Sequence, residues 1–464
     1  MNGAITVFRS VSEGATLWES VLPTEMLVLP ADLAAVDGLL AGWPGLVDPF
    51  RACFDPVRGR PSIPMETYLR LMFLKDYLDV GYQRLRDLVV GSVTFQMFAR
   101  IGLGERVPDA STLKRITKRC GPGPVAELNQ RLLGSAQAVG LVDLSRVRVD
   151  TTVVDANIAY PTDSGLLTNT ITKLVTAGQI VTTSGLAVTT TIVDVSGEVA
   201  DMNCRIGAWL RTRKPERTDE ILILTDQLAD LAKHAIRQAE QLAGEAMALI
   251  DVNPAPKGVR RALNTIEHIV GVAAQIIHQA KARARERPLP AAEKRLSLHD
   301  GDARPIRKRT TPRKGTQFGY TAEVTDNIDG LIVDYALYIG QPADSSLIGG
   351  TINNIIELFG TVPPEVTADH GYGSADARQA LTDAGVQLVA IKAKGNPNPD
   401  QQQLQASPPF KALTRWRSGI EARISTLKRD HGWDRARMPN LTGAQTWCGW
   451  GIFGHNLVKL GRLL

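Results

Sequence analysis

Strand-like and helical patterns alternate between residues 315 and 392, and this alternation constrains the fold more than any other feature of the chain. Runs rich in Val, Ile and Thr predict strands, whereas apolar residues at helical spacing predict helices. The predicted strands are Gly315–Val324, Gly330–Ile339, Glu365–Ala368 and Gln387–Lys392, and the predicted helices are Asp344–Phe359 and Ser374–Ala384. The pattern therefore indicates an α/β fold, with a mixed sheet and helices on its faces.

Helical patterns dominate the rest of the chain, which contributes one further clear strand at Arg146–Val154. The predicted helices before it are Ala31–Ala41, Met65–Leu78, Tyr82–Val90, Thr94–Ile101, Thr112–Cys120 and Val125–Val139. Thr182–Val193 is rich in β-branched residues and predicts strands. Residues 201–287 predict long antiparallel helices. We therefore expect an all-helical domain at 1–140, a catalytic domain formed by 141–200 and 296–464, and a helical insertion at 201–295.

Composition excludes several classes of protein. The 464 residues are 44% hydrophobic and 22% charged, as expected for a globular chain, and the net charge of +5 weakly favours a polyanionic partner. The longest apolar runs fall short of 18 residues, which argues against a membrane span. Four widely spaced cysteines without a C-x-x-C motif argue against zinc knuckles and disulfides. The N-terminus lacks a signal-peptide pattern, so we expect a soluble intracellular protein.

Three acidic residues are candidate catalytic residues. Asp150 ends the apolar-basic run Arg146–Asp150 inside the predicted strand Arg146–Val154, Asp369 directly follows the predicted strand Glu365–Ala368, and Glu421 lies in a predicted late helix. Carboxylates that converge at one edge of a sheet repel each other unless a cation neutralises them, and Mg²⁺ prefers such oxygen ligands. Two such ions can clamp the attacking and leaving oxygens of a phosphoryl transfer. Taken singly, each residue has an ordinary alternative, namely a turn cap, a strand exit or a surface salt bridge.

Clustered cations predict contacts with DNA. The helix Thr112–Cys120 carries Lys114, Arg115, Lys118 and Arg119 at the end of a helical cluster, as in a helix-turn-helix reader. Arg307 and Lys308 lie in a basic, proline-containing approach to the sheet, and Arg417 and Lys428 share the predicted helix face of Glu421. Trp433 could stack on a displaced base. The alternatives are a solvated helix or loop for the cations and core packing for Trp433.

In their order along the chain, these motifs resemble those of the DDE transposases of bacterial insertion sequences. Arg148–Asp155 is similar to the family's first acidic strand, and Thr367–Ser374 is similar to its second acidic motif. Arg417, Glu421 and Lys428 match the signature R-x₃-E-x₆-K, whereas Thr414 stands where that signature has tyrosine. The resemblance implies a ribonuclease-H-like catalytic domain and an N-terminal, helix-turn-helix-like DNA-binding domain.

The resemblance also implies a metal-dependent nuclease and strand transferase. Asp150 and Asp369 would hold one Mg²⁺, and Asp150 and Glu421 a second, with Mn²⁺ able to substitute. Water would cleave a phosphodiester bond at the end of the element, and the freed 3′-OH would attack target DNA. The implied partners are terminal inverted repeats and target DNA, bound by a homodimer in the cytoplasm at the nucleoid. Two alternatives stay open, a catalytically silent DNA-binding descendant and a related nuclease without strand transfer.

Overall fold

The computed structural model describes residues 21–464, apart from positions 24, 26, 57, 59, 60, 213, 214, 251–255, 257 and 308–314. The chain forms two compact units. The first contains the residues up to Asn157 and those from Gly319 to Leu464, and the second contains Ile158–Phe318. The inserted unit is therefore longer at both ends than the predicted insertion at 201–295.

The strands in the described part of the chain are β1 Arg146–Ala156, β2 Arg304–Ile306, β3 Gln317–Asn327, β4 Ile332–Ile339, β5 Glu365–Ala368, β6 Leu388–Ala390 and β7 Arg435–Ala436. In the first unit the order across the sheet is β4, β3, β1, β5 and β6. The pairs on the β4 side of β1 are antiparallel, and those on the β5 side are parallel. The predicted mixed sheet is confirmed, and β5 has the predicted bounds.

The α-helices in the described residues are α1 Ala31–Gly42, α2 Met65–Tyr77, α3 Tyr82–Val90, α4 Val93–Phe98, α5 Ala110–Cys120, α6 Pro122–Ala138, α7 Asp163–Thr182, α8 Ser196–Thr212, α9 Thr218–Ile250, α10 Val259–Ala284, α11 Ile348–Phe359, α12 Ala375–Asp383, α13 Pro399–Ala406, α14 Pro408–Arg417, α15 Gly419–Asp430 and α16 Asn440–Gly461. The helices predicted from the apolar spacing are present, with ends that move by a few residues.

The N-terminal helices share one hydrophobic core with the sheet. The C-terminal helix α16 packs on α1, α2, α6 and β4. Its Trp450 lies edge-on to Tyr68 of α2, with 5.6 Å between the ring centroids. The amide of Asn456 in α16 pairs with the backbone of Ile332 at the start of β4. The expected separate domain at 1–140 is therefore wrong in this respect, because its apolar faces are buried by elements from the other end of the chain.

The second unit is a helical bundle. The helices α9 and α10 run antiparallel, because Lys281 near the end of α10 forms ion pairs with Asp226 and Asp230 near the start of α9. The helix α7 packs against both. The strands predicted at Thr182–Val193 are absent from this fully described segment. The backbone of this segment is instead bound by a side chain of α9. The amide nitrogens of Thr189 and Thr190 donate to the carboxylate of Glu245.

Within the described residues, no helix combines the length and apolar character needed to cross a membrane.

Candidate active site

Two of the three predicted carboxylates lie side by side through the pairing of their strands. Strand β1 is parallel to β5, and the last pair in register is Val149 with Ala368. The next residues are Asp150, which is still within β1, and Asp369, which directly follows β5, so the two aspartates occupy neighbouring positions where the parallel pairing ends. Asp150 is half-buried within β1, whereas the Asp369 side chain is 51% exposed. β1 ends at Ala156, two residues beyond the predicted end at Val154, so Asp150 lies near the middle of the strand.

A buried acid lies beside this pair. Glu323 on β3 stands opposite Thr151 and is 1% exposed. Its carboxylate accepts hydrogen bonds from the hydroxyls of Thr351 and Tyr372. Burial raises the pKa of Glu323, and the negative charges of Asp344 and Asp150 raise it further. Sequence reasoning missed Glu323, although an acidic residue inside an apolar strand was a usable signal.

Asp344 also lies close to the strand that carries Asp150. The Thr151 hydroxyl donates to Oδ1 of Asp344 over 3.1 Å. Gly371, two residues after Asp369, approaches so closely that a Cβ atom there would lie 2.6 Å from Oδ2 of Asp344. The sequence placed Asp344 at the start of a predicted helix, where an aspartate is an ordinary cap. Nothing in the pattern distinguished it from such a cap.

The third carboxylate, Glu421, lies in the exposed part of the first turn of α15, and α15 packs on β1. The sequence predicted one continuous helix face for Arg417 and Glu421. Arg417 is instead the last residue of α14, and a one-residue turn at Ser418 separates it from α15. Beside this turn, the carbonyl of Trp416 accepts a hydrogen bond from Nη1 of Arg148 at 2.6 Å.

Arg417 nevertheless reaches the predicted site. Its Nη1 lies 3.8 Å from Oδ1 of Asp369. Lys428 is half-buried in α15, seven residues after Glu421 and so on the same side of that helix. Arg417 is therefore close to a carboxylate of the predicted site, and Lys428 lies about two turns along α15 from Glu421.

The donor set fits a hard divalent cation, because Asp150, Asp369 and Glu421 offer carboxylate oxygens. Across the described residues, however, no group of three or more His, Cys, Asp or Glu side chains is close enough to hold a metal ion. The strand register brings Asp150 and Asp369 together, and Glu421 belongs to a separate element packed on β1.

The basic helix α5 presents its predicted cations to solvent. Lys114, Arg115, Lys118 and Arg119 are exposed, whereas Leu113, Ile116, Thr117 and Cys120 are buried. A cleft of about 840 Å³ runs beside this helix, and it is lined by Arg58, Arg106, Arg115 and Arg119 together with acidic and apolar residues. The Arg119 guanidinium lies 5.3 Å from the centre of the Phe54 ring.

Trp433 does not contact DNA in the way that the sequence suggested. Its side chain is fully buried, and its Nε1 donates to the carbonyl of Cys448 at 3.1 Å. The ring also lies against Tyr335 of β4. A base could not stack on it without opening the core, so the assignment to DNA binding is wrong and core packing is correct.

The remaining predicted contacts lie elsewhere. Arg307 belongs to the second unit, where it is exposed and its Nε donates to Thr316. Lys308 falls outside the described residues.

Comparisons with known proteins agree with these motifs. Residues 28–119 match the family described as Transposase domain (DUF772), and residues 293–457 match the family described as Transposase DDE domain. The second match contains Asp369 and Glu421, whereas Asp150 lies before it.

One similar curated protein is "Uncharacterized protein ORF8 in nfe locus" of Rhizobium meliloti, which is 32% identical over 138 residues, or 29% of this chain. The alignment spans 66% of that relative, just under two thirds of its length. No solved structure matches the chain.

The mixed sheet of the first unit, with helices packed on it, is the predicted ribonuclease-H-like fold, as the DDE match implies. Both matched families are described as transposase families. From these matches and the order of its acidic motifs, the chain belongs to the DDE transposases of insertion sequences.

Proposed function

We propose that this protein binds the ends of an insertion sequence, cleaves the DNA there and joins the freed 3′-OH ends to target DNA by Mg²⁺-dependent phosphoryl transfer. The observation that carries the proposal is the register of β1 and β5, which sets Asp150 beside Asp369. Glu421 lies on a helix packed against the same strand.

Each side chain has a role in this proposal. Asp150 and Asp369 hold one divalent cation, and Asp150 and Glu421 hold a second. When bound, Mg²⁺ or Mn²⁺ would activate the attacking oxygen and stabilise the leaving oxygen. Arg417 and Lys428 hold phosphates of the DNA backbone beside the carboxylates. Glu323 and Asp344 support the strand and the loop that carry Asp150 and Asp369.

End recognition is proposed for the basic face of α5 and its cleft. Exposed Lys and Arg side chains on one helix neutralise phosphates and can place that helix in a groove. Arg307 and Lys308 are proposed as further phosphate contacts. We also propose that two copies assemble on paired ends at the nucleoid, because an element has two equivalent ends and closed symmetric oligomers act naturally on two equivalent sites.

The proposal is tested with DNA that carries the repeats flanking the gene, labelled at the 3′ end, together with a target plasmid. Asp150→Asn, Asp369→Asn and Glu421→Gln should each abolish Mg²⁺-dependent cleavage and joining, yet bind end DNA in EDTA like the wild type. The matched control is Asp376→Asn, an exposed aspartate on α12 that should keep full activity.

Two outcomes favour the alternatives. A wild-type protein that binds end DNA without cutting it, with either Mg²⁺ or Mn²⁺, would be a silent DNA-binding descendant. Cleavage without any joined product would identify a nuclease that lacks strand transfer. Near wild-type cleavage by one of the three variants would remove that residue from the proposed site.

A further inference from the structure

One buried carboxylate holds two arginines close to the proposed site. Asp326 on β3 has an exposure of 0% and pairs in register with Arg148 of β1. Arg148 donates to both carboxylate oxygens, from Nε at 2.6 Å and from Nη2 at 2.9 Å. Arg423 of α15 donates from Nε to Oδ2 at 3.3 Å. A bidentate fork of this kind fixes orientation as well as distance.

Arg148 also fixes the junction between α14 and α15. The same guanidinium that grips Asp326 donates from Nη1 to the carbonyl of Trp416 and lies 4.3 Å from the centre of the Trp416 ring. A Cβ atom at Gly419 would collide with this guanidinium. A side chain at the first residue of α15 would therefore have to displace the Arg148 guanidinium.

Arg423, the second arginine that binds Asp326, also packs closely against a glycine. It lies against Gly330, where φ is +80° and where a Cβ atom would collide with the guanidinium. Both arginines thus reach Asp326 across a glycine that leaves no space for a side chain.

This cluster bears on the proposed site through its neighbours in sequence. Arg148 lies two residues before Asp150 on the same face of β1. Arg423 lies two residues after Glu421, so the two side chains point about 200° apart around α15. Ile420 and Leu427 bury the face between them. Anchoring Arg423 on one side of the helix therefore sets the rotation that places Glu421 on the other side.

A cluster of buried charges is an expensive way to hold a helix if packing is all that is needed. Apolar residues of similar volume often serve stability equally well or better, because burying ions costs desolvation energy. What the charges add is a defined geometry. A need to position α15 therefore explains the cluster better than a need to stabilise the fold.

We propose that Arg148, Asp326 and Arg423 are positioning residues that set the place of Glu421 relative to Asp150, and thereby the affinity of the three carboxylates for a divalent cation. The inference rests on the proposed function, because it assigns the three carboxylates to one cation-binding site. The three positioning residues do not touch DNA or metal in this scheme. They act through the rotation and register of α15.

The test measures Mn²⁺ binding directly, from the electron paramagnetic resonance signal of free Mn²⁺, with the full-length protein and no DNA. Arg423→Gln should weaken Mn²⁺ binding by roughly 10-fold or more, the scale seen when groups that orient metal ligands are lost. Arg423→Lys should restore part of the affinity, since it returns a cation. The matched control is Arg429→Gln on the same helix, whose side chain is 69% exposed and bonded to Asp430. It should bind Mn²⁺ like the wild type.

Gly419→Ala provides a second variant, because it pushes on Arg148 without removing a charge. Gly419→Ala should also weaken Mn²⁺ binding. If Arg423→Gln does not fold, the result for Gly419→Ala decides whether the cluster has the positioning role. The positioning role is overturned if the folded variants bind Mn²⁺ as tightly as the wild type while Asp150→Asn does not. If Asp150→Asn itself leaves Mn²⁺ binding unchanged, the carboxylates are not the cation site, and the proposed function fails together with the inference.

Discussion

Nη1 of Arg417 lies 3.8 Å from Oδ1 of Asp369, so a cation from the end of α14 stands at a carboxylate of the proposed site. The Asp369 side chain is 51% exposed, and water screens an ion pair of this kind. The contact is therefore too weak to be a main support of the fold. It places a guanidinium where DNA phosphates would approach the carboxylates.

We predict that Arg417→Ala and Lys428→Ala weaken binding of end DNA and leave Mn²⁺ binding largely intact. Each cation that neutralises a phosphate contributes about one unit to the slope of log affinity against log salt concentration. Titrations of end DNA at several salt concentrations give this slope. Arg429→Ala, at an exposed position of α15, is the control. An unchanged slope and affinity in both variants would assign Arg417 and Lys428 to surface ion pairs.

We predict that the exposed cations of α5 carry much of the preference for element ends. Combined replacement of Lys114, Arg115, Lys118 and Arg119 by alanine should reduce the ratio of affinities for end DNA and random DNA. The salt slope should fall by about one for each phosphate that the variant no longer neutralises. The control is Arg131→Ala on α6, an exposed arginine that pairs with Glu127 and Asp48.

Point substitutions test the role of α5 in end recognition better than a deletion of the N-terminal helices does. Deleting the first 125 residues would remove α1 and α2, whose apolar faces pack on α16, and would expose the core. A multiple variant that folds and still discriminates end DNA as well as the wild type would move recognition to another surface.

We predict that Trp433→Ala acts on stability and not on DNA contact. Removing a fully buried tryptophan typically costs about 3–5 kcal/mol of unfolding free energy, and the indole also loses its hydrogen bond to Cys448. Trp433→Phe keeps most of the volume and should cost less. Denaturant unfolding measures both. A fully stable Trp433→Ala with weakened DNA binding would restore the stacking role.

The sequence alone was sufficient for the parts of the fold that depend on local patterns. Glu365–Ala368 and Tyr82–Val90 have the predicted bounds, because apolar periodicity and clear end signals act within one element. The acidic motifs were also visible locally. The strands expected at Thr182–Val193 do not form. A high content of β-branched residues is only a preference for strands, and here the backbone binds Glu245 and Gln238 of α9 and not another strand.

The features that sequence reasoning missed depend on tertiary pairing. Asp326 became visible as a partner of Arg148 only through the register of β1 and β3, which no local pattern specifies. The hydrogen bond from the same arginine to the carbonyl of Trp416, beside the turn at Ser418, is likewise a tertiary contact. The shared core of the N-terminal helices and α16 likewise joins segments more than three hundred residues apart, which periodicity cannot relate.

A last prediction concerns Asp334 on β4, which faces a cavity of about 770 Å³ bounded by α6, α11 and α16. Burial raises the pKa of this carboxyl from its ordinary value of 3.8 to about 7, and the nearby Glu323 charge adds to the effect. Between pH 4 and 7 the folded protein therefore retains a proton that the unfolded chain releases. Stability from this group is fully present at low pH and is lost as the pH rises through about 7.

Asp334→Asn is neutral at every pH and can keep a hydrogen bond with Asn354. We predict that its unfolding temperature matches that of the wild type near pH 4 and exceeds it by several degrees at pH 8. One pKa unit corresponds to about 1.4 kcal/mol, so the full shift is worth at most on the order of 4 kcal/mol. Thermal unfolding of both proteins between pH 4 and 8.5 measures the difference, with the exposed Asp383→Asn as control. A difference between wild type and Asp334→Asn that stays constant across this range would show that Asp334 does not titrate there, because only a group whose pKa changes on unfolding can make that difference depend on pH.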